Sequence, residues 1–339
     1  MYLHGGLDLH GDNVFVGLMD ESFNRVYERR LPNNLETILE ALKDYKDRIV
    51  DLVVESTYNW YWLVDGLQAA GYKARLGNPA RMQENIGLKQ ADDRSDAFFL
   101  AKQAAMGVLP EAYIYPKEER GVRDLLRRRM RLVRGRTAEW LSLEGLVARH
   151  SGMSVGMKDL NGLEAGELGP LLGNDPMVIA SAQMSFRHIE FLNKEIKKIE
   201  EAVEGLVELR DGYERLMNVP GIGRILTMTI MLETGPIARF AGPGNYASYC
   251  RAVKSTHTSN NKKKGEGNRK SGNKYLAWAY VEAAGYSIRF CPELRAWYQR
   301  KASRTKRVVA IKALANKLSK ACFFILRDGV EFDVKKLVG

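Results

Sequence analysis

The sequence predicts an α/β domain of RNase H-like order, followed by a helical and coiled-coil connector and a mainly α-helical C-terminal domain. Three observations carry this reading. Residues 3–9 (LHGGLDL) and 13–19 (NVFVGLM) are short apolar runs on either side of a turn at Gly11–Asn13, the pattern of a hairpin. Residues 49–55 (IVDLVVE) are continuously apolar, as in a strand covered on both faces. The charge also changes sign along the chain. Residues 1–110 hold 12 Lys+Arg against 16 Asp+Glu, a net −4, while the remainder carries +15, for +11 over 339 residues.

Each element follows from its pattern. Tyr27–Leu31 adds a third strand, and Pro32 precedes an amphipathic helix near Leu35–Tyr45 with Leu35, Ile38, Leu39 and Leu42 on one face. After the buried strand, Tyr58–Ala70 reads as a helix and residues 71–77 as a further strand ending before Asn78-Pro79. Asp93–Met106 reads as a helix, with Ala97, Leu100, Ala101 and Ala104 on one side. Two or three antiparallel strands, helix, buried strand, helix, strand, helix is the RNase H-like order. It assigns residues 1–110 to the first domain.

Residues 111–212 are read as an Arg-rich helix with a coiled-coil connector. Residues 117–136 contain nine basic and three acidic residues, and a helix running on to about Arg149 aligns Arg120, Arg123, Arg127, Arg131 and Arg134. Residues 151–175 are Gly-rich and read as a linker. Ile189, Leu192, Ile196, Ile199, Val203 and Leu206 then recur in steps of three and four, a seam suited to an antiparallel hairpin with the Arg-rich helix or to a dimer contact. Residues 213–339 form the third domain. There Pro220-Gly221-Ile222-Gly223 separates two helices, either as a tight αα-turn or as a turn whose amides approach a phosphate. A polar loop over 254–274 follows, expected to be ordered by a polyanion, and two apolar helices near Tyr275–Phe290 and Val308–Arg327 close the chain.

A basic remainder of this size points to a polyanion partner, and nucleic acid is the commonest one. Cys250, Cys291 and Cys322 are widely spaced with no CxxC, so neither a zinc site nor a disulfide framework is indicated and buried free thiols are expected. The start MYLHGGLDLHGDN has no signal-peptide pattern, and no apolar run nears the ~20 residues that span a bilayer. A soluble cytoplasmic protein without membrane partners is expected.

Four carboxylates stand where a metal site needs them. Asp8 ends the first strand, Glu55 ends the buried strand, and Asp93 and Asp96 lie one helical turn apart on one face. Crowded like charges raise one another's pKa unless a hard cation offsets them. The competing reading makes Asp93 and Asp96 a helix cap and a first-turn acid, with Glu55 paired to an Arg. Asp92 is the alternative to Asp93; Asp12 falls in the turn, and Asp51 is expected on the opposite side of the sheet or at its edge. In the polar loop Lys262, Lys263, Lys264, Arg269, Lys270 and Lys274 surround hydroxyls at Ser255, Thr256, Thr258, Ser259 and Ser271. A serine there becomes a nucleophile only if its proton is removed or the leaving charge is stabilised. Otherwise it sits in a solvated loop.

The order Asp8 (in GLDLH), Glu55 (in VVEST), Asn78-Pro79 and Asp93-Arg-Ser-Asp96-Ala97 resembles the DEDD transposases of the IS110 family of insertion sequences. So does the second half, PGIGRILTMTIMLETG, FAGPGNYASYCRAV, the polar loop and GNKYL. The resemblance implies a RuvC-like first domain in which Asp8, Glu55, Asp93 and Asp96 bind Mg²⁺, two ions with Mn²⁺ as a substitute. It implies a C-terminal transposase domain whose serine attacks DNA and becomes joined to a 5′ phosphate. Ser259 fits the register of that serine, about ten positions after Tyr-Ala-Ser-Tyr; Ser271 and Ser255 are the alternatives. Implied partners are target and donor DNA, a structured bridge RNA that pairs with both, and further copies of the chain in a tetramer. The Arg-rich helix and the loop cations then serve as nucleic-acid contacts, in a bacterial cytoplasm. Two other readings remain open: a RuvC-type junction-resolving nuclease that uses water, and a non-catalytic nucleic-acid-binding scaffold.

Overall fold

The computed structural model describes residues 1–82, 92–160, 167, 169–207, 210–254, 256–259, 262–266 and 271–339, with backbone alone at 158, 256–259 and 262–266. It forms two compact units, Met1–Lys117 and Glu118–Gly339.

The first unit is a five-stranded mixed sheet built from β1 (Leu3–Leu9), β2 (Asn13–Asp20), β3 (Arg25–Pro32), β4 (Ile49–Glu55) and β5 (Ala74–Gly77), in the order β3-β2-β1-β4-β5. The first three strands are antiparallel, and β4 and β5 run parallel to β1. Alternation sends Leu3, Leu7 and Leu9 of β1 to one face, into a core shared with α1 (Leu35–Leu42) and α2 (Tyr61–Ala69). His4, Gly6 and Asp8 face the other way, toward α3 (Asp93–Ala105).

That second face is lined with glycines because α3 lies almost on the backbone. A Cβ on Gly6 would drive into the Ala97 carbonyl, and one on Gly17, directly opposite Gly6 across β1 and β2, would stand 3.1 Å from the Phe98 ring. Ion pairs fix the start of the helix. Arg94 grips Glu28 of β3 at 2.7 and 2.9 Å, and Arg25 stacks over Phe98 at 4.4 Å.

Several boundaries differ from expectation. The helix after Pro32 gives way at Lys43 to a 3₁₀ turn, Lys43–Arg48. The next helix begins at Tyr61 rather than Tyr58 because Thr57 and Asn59 bond within the preceding loop. Gly71 takes a φ of 84°, and its strand starts only at Ala74.

The second unit opens with a helical hairpin, α4 (Lys117–Ser151) and α6 (Pro176–Val207), linked through the short α5 (Met157–Leu160). Arg129 meets Glu200, Arg136 meets Asn193 and Glu139 meets Ser185 and His188, so partners run in opposite directions. This selects the antiparallel hairpin as the use of the apolar seam. Ile189, Leu192, Ile196, Ile199 and Val203 are buried as expected, but Leu206 is 57 % exposed and Val207 takes its place.

The remaining helices are α7 (Tyr213–Met217), α8 (Arg224–Thr234), α9 (Pro243–Tyr249), α10 (Lys274–Phe290), α11 (Pro292–Ala302), α12 (Arg307–Asp328) and α13 (Val334–Val338). The chain therefore closes on four helices after the polar loop rather than two. The loop contains a two-stranded antiparallel hairpin, β6 (Thr256–Ser259) and β7 (Lys262–Glu266). In the turn before α8, Gly221 has a φ of 87° and lies against the backbone of Ala283 and Ser287 in α10, where no side chain fits. Packing accounts for this glycine. All three cysteines are buried free thiols, and no helix among the described residues is long and apolar enough to cross a membrane.

Replacing Gly6 by Ala is expected to destabilise the protein by at least about 1–3 kcal/mol, because α3 must lift from the sheet. Gly121→Ala, at an exposed site in α4 with open space around it, should instead stabilise by about 0.5–1 kcal/mol. Urea unfolding followed by tryptophan fluorescence measures both.

Candidate metal centre and the anchored polar loop

The carboxyl ends of β1 and β4 are adjacent. The last parallel pair, Leu7 with Val54, puts Asp8 and Glu55 one step further on in neighbouring strands. Asp93 and Asp96 come down from the first turn of α3. Asp92, not Asp93, caps that helix: its side chain accepts from the Ser95 amide in a reciprocal capping box. The cap is thus filled by a neighbour, leaving Asp93 and Asp96 for another role.

Asp93 Oδ1 lies 3.1 Å from His10 Nε2, and His10 Nε2 lies 3.1 Å from Asp8 Oδ2. These three side chains form a group able to hold a metal ion. Asp8 is only 3 % exposed, and its Oδ2, although close to His10, makes no hydrogen bond. Burial is the main cause that pushes the Asp8 carboxyl up to about 6; His10 works against this, and the charges of Glu55, Asp96 and Asp93 add to it. Burial, then Asp96, also raises Glu55, with His10 again opposing. The four acids therefore form one electrostatic cluster. For Asp93, burial is outweighed by Arg30, 2.6 Å away, and by His10, so its carboxyl falls below the ordinary range.

A buried carboxylate oxygen without a hydrogen bond, among oxygen donors that repel one another, is the donor set a hard divalent cation satisfies. The residues fit such an ion.

Sequence reasoning missed the supports. Arg30 reaches the site because Asp8, Phe15 and Arg30 stand side by side across β1, β2 and β3. His10 is held through its carbonyl, which accepts from Asn59 Nδ2 at 2.8 Å and Asn33 Nδ2 at 3.0 Å. The adjacency of His10 to Asp8 in DLH was the available signal. Asp51 requires correction: alternation along β4 places it on the face of Glu55, not the opposite one. It is spent at the far end of the strand, bonding His4 at 2.7 Å and Arg75 at 2.6 Å.

In the second unit the Arg-rich helix is only partly a surface. Arg120 and Arg123 are buried, contrary to a phosphate-contacting role in this state of the chain. Arg127 is committed to Glu233 of α8, with Nε–Oε1 at 2.5 Å and a second bond at 2.7 Å. Burial alone would lower the Arg127 pKa; the bonds and charge of Glu233 more than reverse this. Arg131 and Arg134 are exposed.

Glu233 also accepts from Asn273 Nδ2 at 2.7 Å, and Asn273 caps α10. Arg251 donates to the carbonyls of Ser271 and Gly272, and Gly272, with φ 82°, lies against the Tyr249 carbonyl. The base of the polar loop is thereby anchored. Ser259 ends β6 opposite Lys262 in the hairpin register, with Lys263 and Lys264 following on β7. Lys274 begins α10. Ser255, Arg269 and Lys270 lie outside the described residues.

Residues 5–150 match a DEDD family described as a transposase of the IS110 group, and residues 213–299 match the family described as "Transposase IS116/IS110/IS902 family". A transposase for insertion sequence element IS1111A from Coxiella burnetii is 24 % identical over 293 residues, 84 % of this chain and 77 % of that protein. A probable family 20 transposase from Pseudomonas aeruginosa is 25 % identical over 278 residues, 78 % of this chain and 80 % of that protein.

Two outcomes are expected. The folded Asp8 carboxyl keeps its proton to about pH 6 against an ordinary 3.8. Between those values the folded state holds more protons than the unfolded one, so stability falls as pH rises and the loss is complete above the upper value. Asp8→Asn should therefore stabilise the metal-free protein at pH 7.5 by about 1–2 kcal/mol, the full linkage being reduced by solvent screening at the open end of the site. Mn²⁺ should raise the melting temperature of the parent protein and not of this variant. Glu233→Ala leaves Arg127 and Asn273 without their acceptor and should cost about 3 kcal/mol in chemical unfolding.

Proposed function

Because this chain belongs to the DEDD transposases of the IS110 family, enzymes that cut and transfer DNA strands, we propose that it recombines DNA through a serine–phosphate intermediate. The acidic cluster at the ends of β1 and β4 is the observation that carries the proposal. Asp8, Glu55, Asp93 and Asp96 would hold divalent cations, two Mg²⁺ by preference with Mn²⁺ able to replace them. Bound there, such ions would neutralise charge on the oxygens of the scissile phosphate.

The protein's own groups do the rest. His10 and Arg30 set the charge balance around Asp8 and Asp93 and hold them in place. Ser259 attacks the phosphorus: a bond forms from its Oγ, the bond to the 3′ oxygen breaks, the serine proton is released and the departing oxygen gains one. Strand transfer is the reverse reaction with a different 3′-hydroxyl. That hydroxyl displaces the serine and restores a phosphodiester, with no net hydrolysis and no nucleotide cofactor. The lysines of β7 and the exposed Arg131 and Arg134 would contact backbone phosphates.

Target and donor DNA would be recognised by pairing with a guide RNA, the protein contributing backbone contacts. The acids and the serine belong to different compact units, an organisation compatible with a homotetramer in which one copy's acids serve another copy's serine. With bacterial DNA as substrate, the cytoplasm is the proposed compartment.

Ser259→Ala should abolish both recombination and a detergent-resistant protein–DNA adduct, while binding to DNA stays within about twofold. Ser271→Ala and Ser255→Ala should retain the adduct. Cleavage by the parent protein without any adduct would assign the attack to water.

A further inference from the structure

A second basic cluster uses residues outside the Arg-rich helix and the polar loop. Residues 294–327 contain ten Lys and Arg and no Asp or Glu. Half of these cations crowd the turn from α11 into α12: Arg300, Lys301, Arg304, Lys306 and Arg307, all exposed. Among the described residues none of the five has an ion-pair partner, whereas Arg327, at the far end of α12, pairs with Asp328.

Local stability explains only part of the cluster. Arg300 and Lys301 occupy the last turn of α11, where the helix dipole favours cations. Lys306 and Arg307 occupy the N-cap and first position of α12, where the dipole disfavours them. That end of α12 has no side-chain cap and no acid in its first turn. Five like charges over eight residues also repel one another. The turn holds unfavourable positive charge that a bound polyanion would relieve.

We propose that the α11–α12 turn is a nucleic-acid-binding surface that grips a phosphodiester backbone without reading its sequence. Its chemistry is counterion release: each cation that neutralises a phosphate frees condensed ions and steepens the dependence of binding on salt. The surface is distinct from the groups assigned to strand transfer. It rests on the transposase reading only for the presence of a nucleic-acid partner.

The test compares two quintuple variants of the full chain. In one, Arg300, Lys301, Arg304, Lys306 and Arg307 are changed to Gln. In the other, Lys194, Lys197, Lys198, Lys335 and Lys336 are changed to Gln. Each removes five charges from the net +11, which controls for long-range electrostatics. Binding to a fluorescent duplex DNA and to a fluorescent RNA hairpin, both of arbitrary sequence, is measured from 50 to 300 mM salt. The slope of log affinity against log salt should fall in magnitude by about 2–4 for the turn variant, at roughly 0.9 per lost duplex contact and 0.7 per single-strand contact.

A charge-preserving variant, Arg300→Lys with Arg304→Lys and Arg307→Lys, should keep the parent slope. Loss on DNA alone or on RNA alone would identify the backbone held there. An unchanged slope for a folded turn variant, or an equal fall in the lysine control, would overturn the proposal. Ser259→Ala leaves these slopes untouched, so failure here and failure of the serine mechanism are distinguishable.

Discussion

Four carboxylates cannot share one end of a sheet without an opposing charge, and the first unit is organised around that constraint. Asp8 is buried by the approach of α3, and the approach is possible because Gly6 and Gly17 clear the sheet surface beneath Ala97 and Phe98. The same approach brings Asp93 and Asp96 over the strand ends. The cost of burial, with the neighbouring charges adding to it, is visible in the raised Asp8 and Glu55 carboxyls; His10 offsets part of it, while Arg30 and His10 lower Asp93. Buried acids with perturbed carboxyls, gathered at one end of a sheet, are where a functional site is sought.

The second unit shows a related use of buried charge. Glu233 is 3 % exposed and binds both Arg127 and Asn273. A well-packed apolar group in its place would serve stability as well or better. What the ionic group provides is direction: it joins the long α4 helix to α8 and to the residue that starts α10, immediately after the polar loop. Arg251 and Gly272 complete the anchor. The hairpin with Ser259 thus grows from a base whose geometry is over-determined.

Much of this was legible in the sequence where a local pattern has a single reading. The apolar run Ile49–Glu55 is β4 residue for residue, and Asp93 starts its helix where the apolar periodicity begins. The acids at the strand ends were legible because Asp and Glu interrupt otherwise apolar strands. The partners that come from distant segments were not. Arg30 reaches Asp93 only through the register of three strands, and His10 is fixed by side chains at positions 33 and 59. The five-arginine row of α4 read as one basic surface because helical spacing carries no information on which face is covered; Arg120 and Arg123 are buried and Arg127 is paired to Glu233 of α8. Asp92 shows the same limit at short range, since either Asp92 or Asp93 could precede the helix until the Ser95 amide selected Asp92 as its cap.

The most direct measurement of the central claim is the anomalous scattering of Mn²⁺ in crystals of the full chain. Expected is a peak about 2.0–2.3 Å from an Asp8 oxygen, shared with Glu55, Asp93 or Asp96. A well-ordered first unit in saturating Mn²⁺ with no peak at these four acids would contradict it.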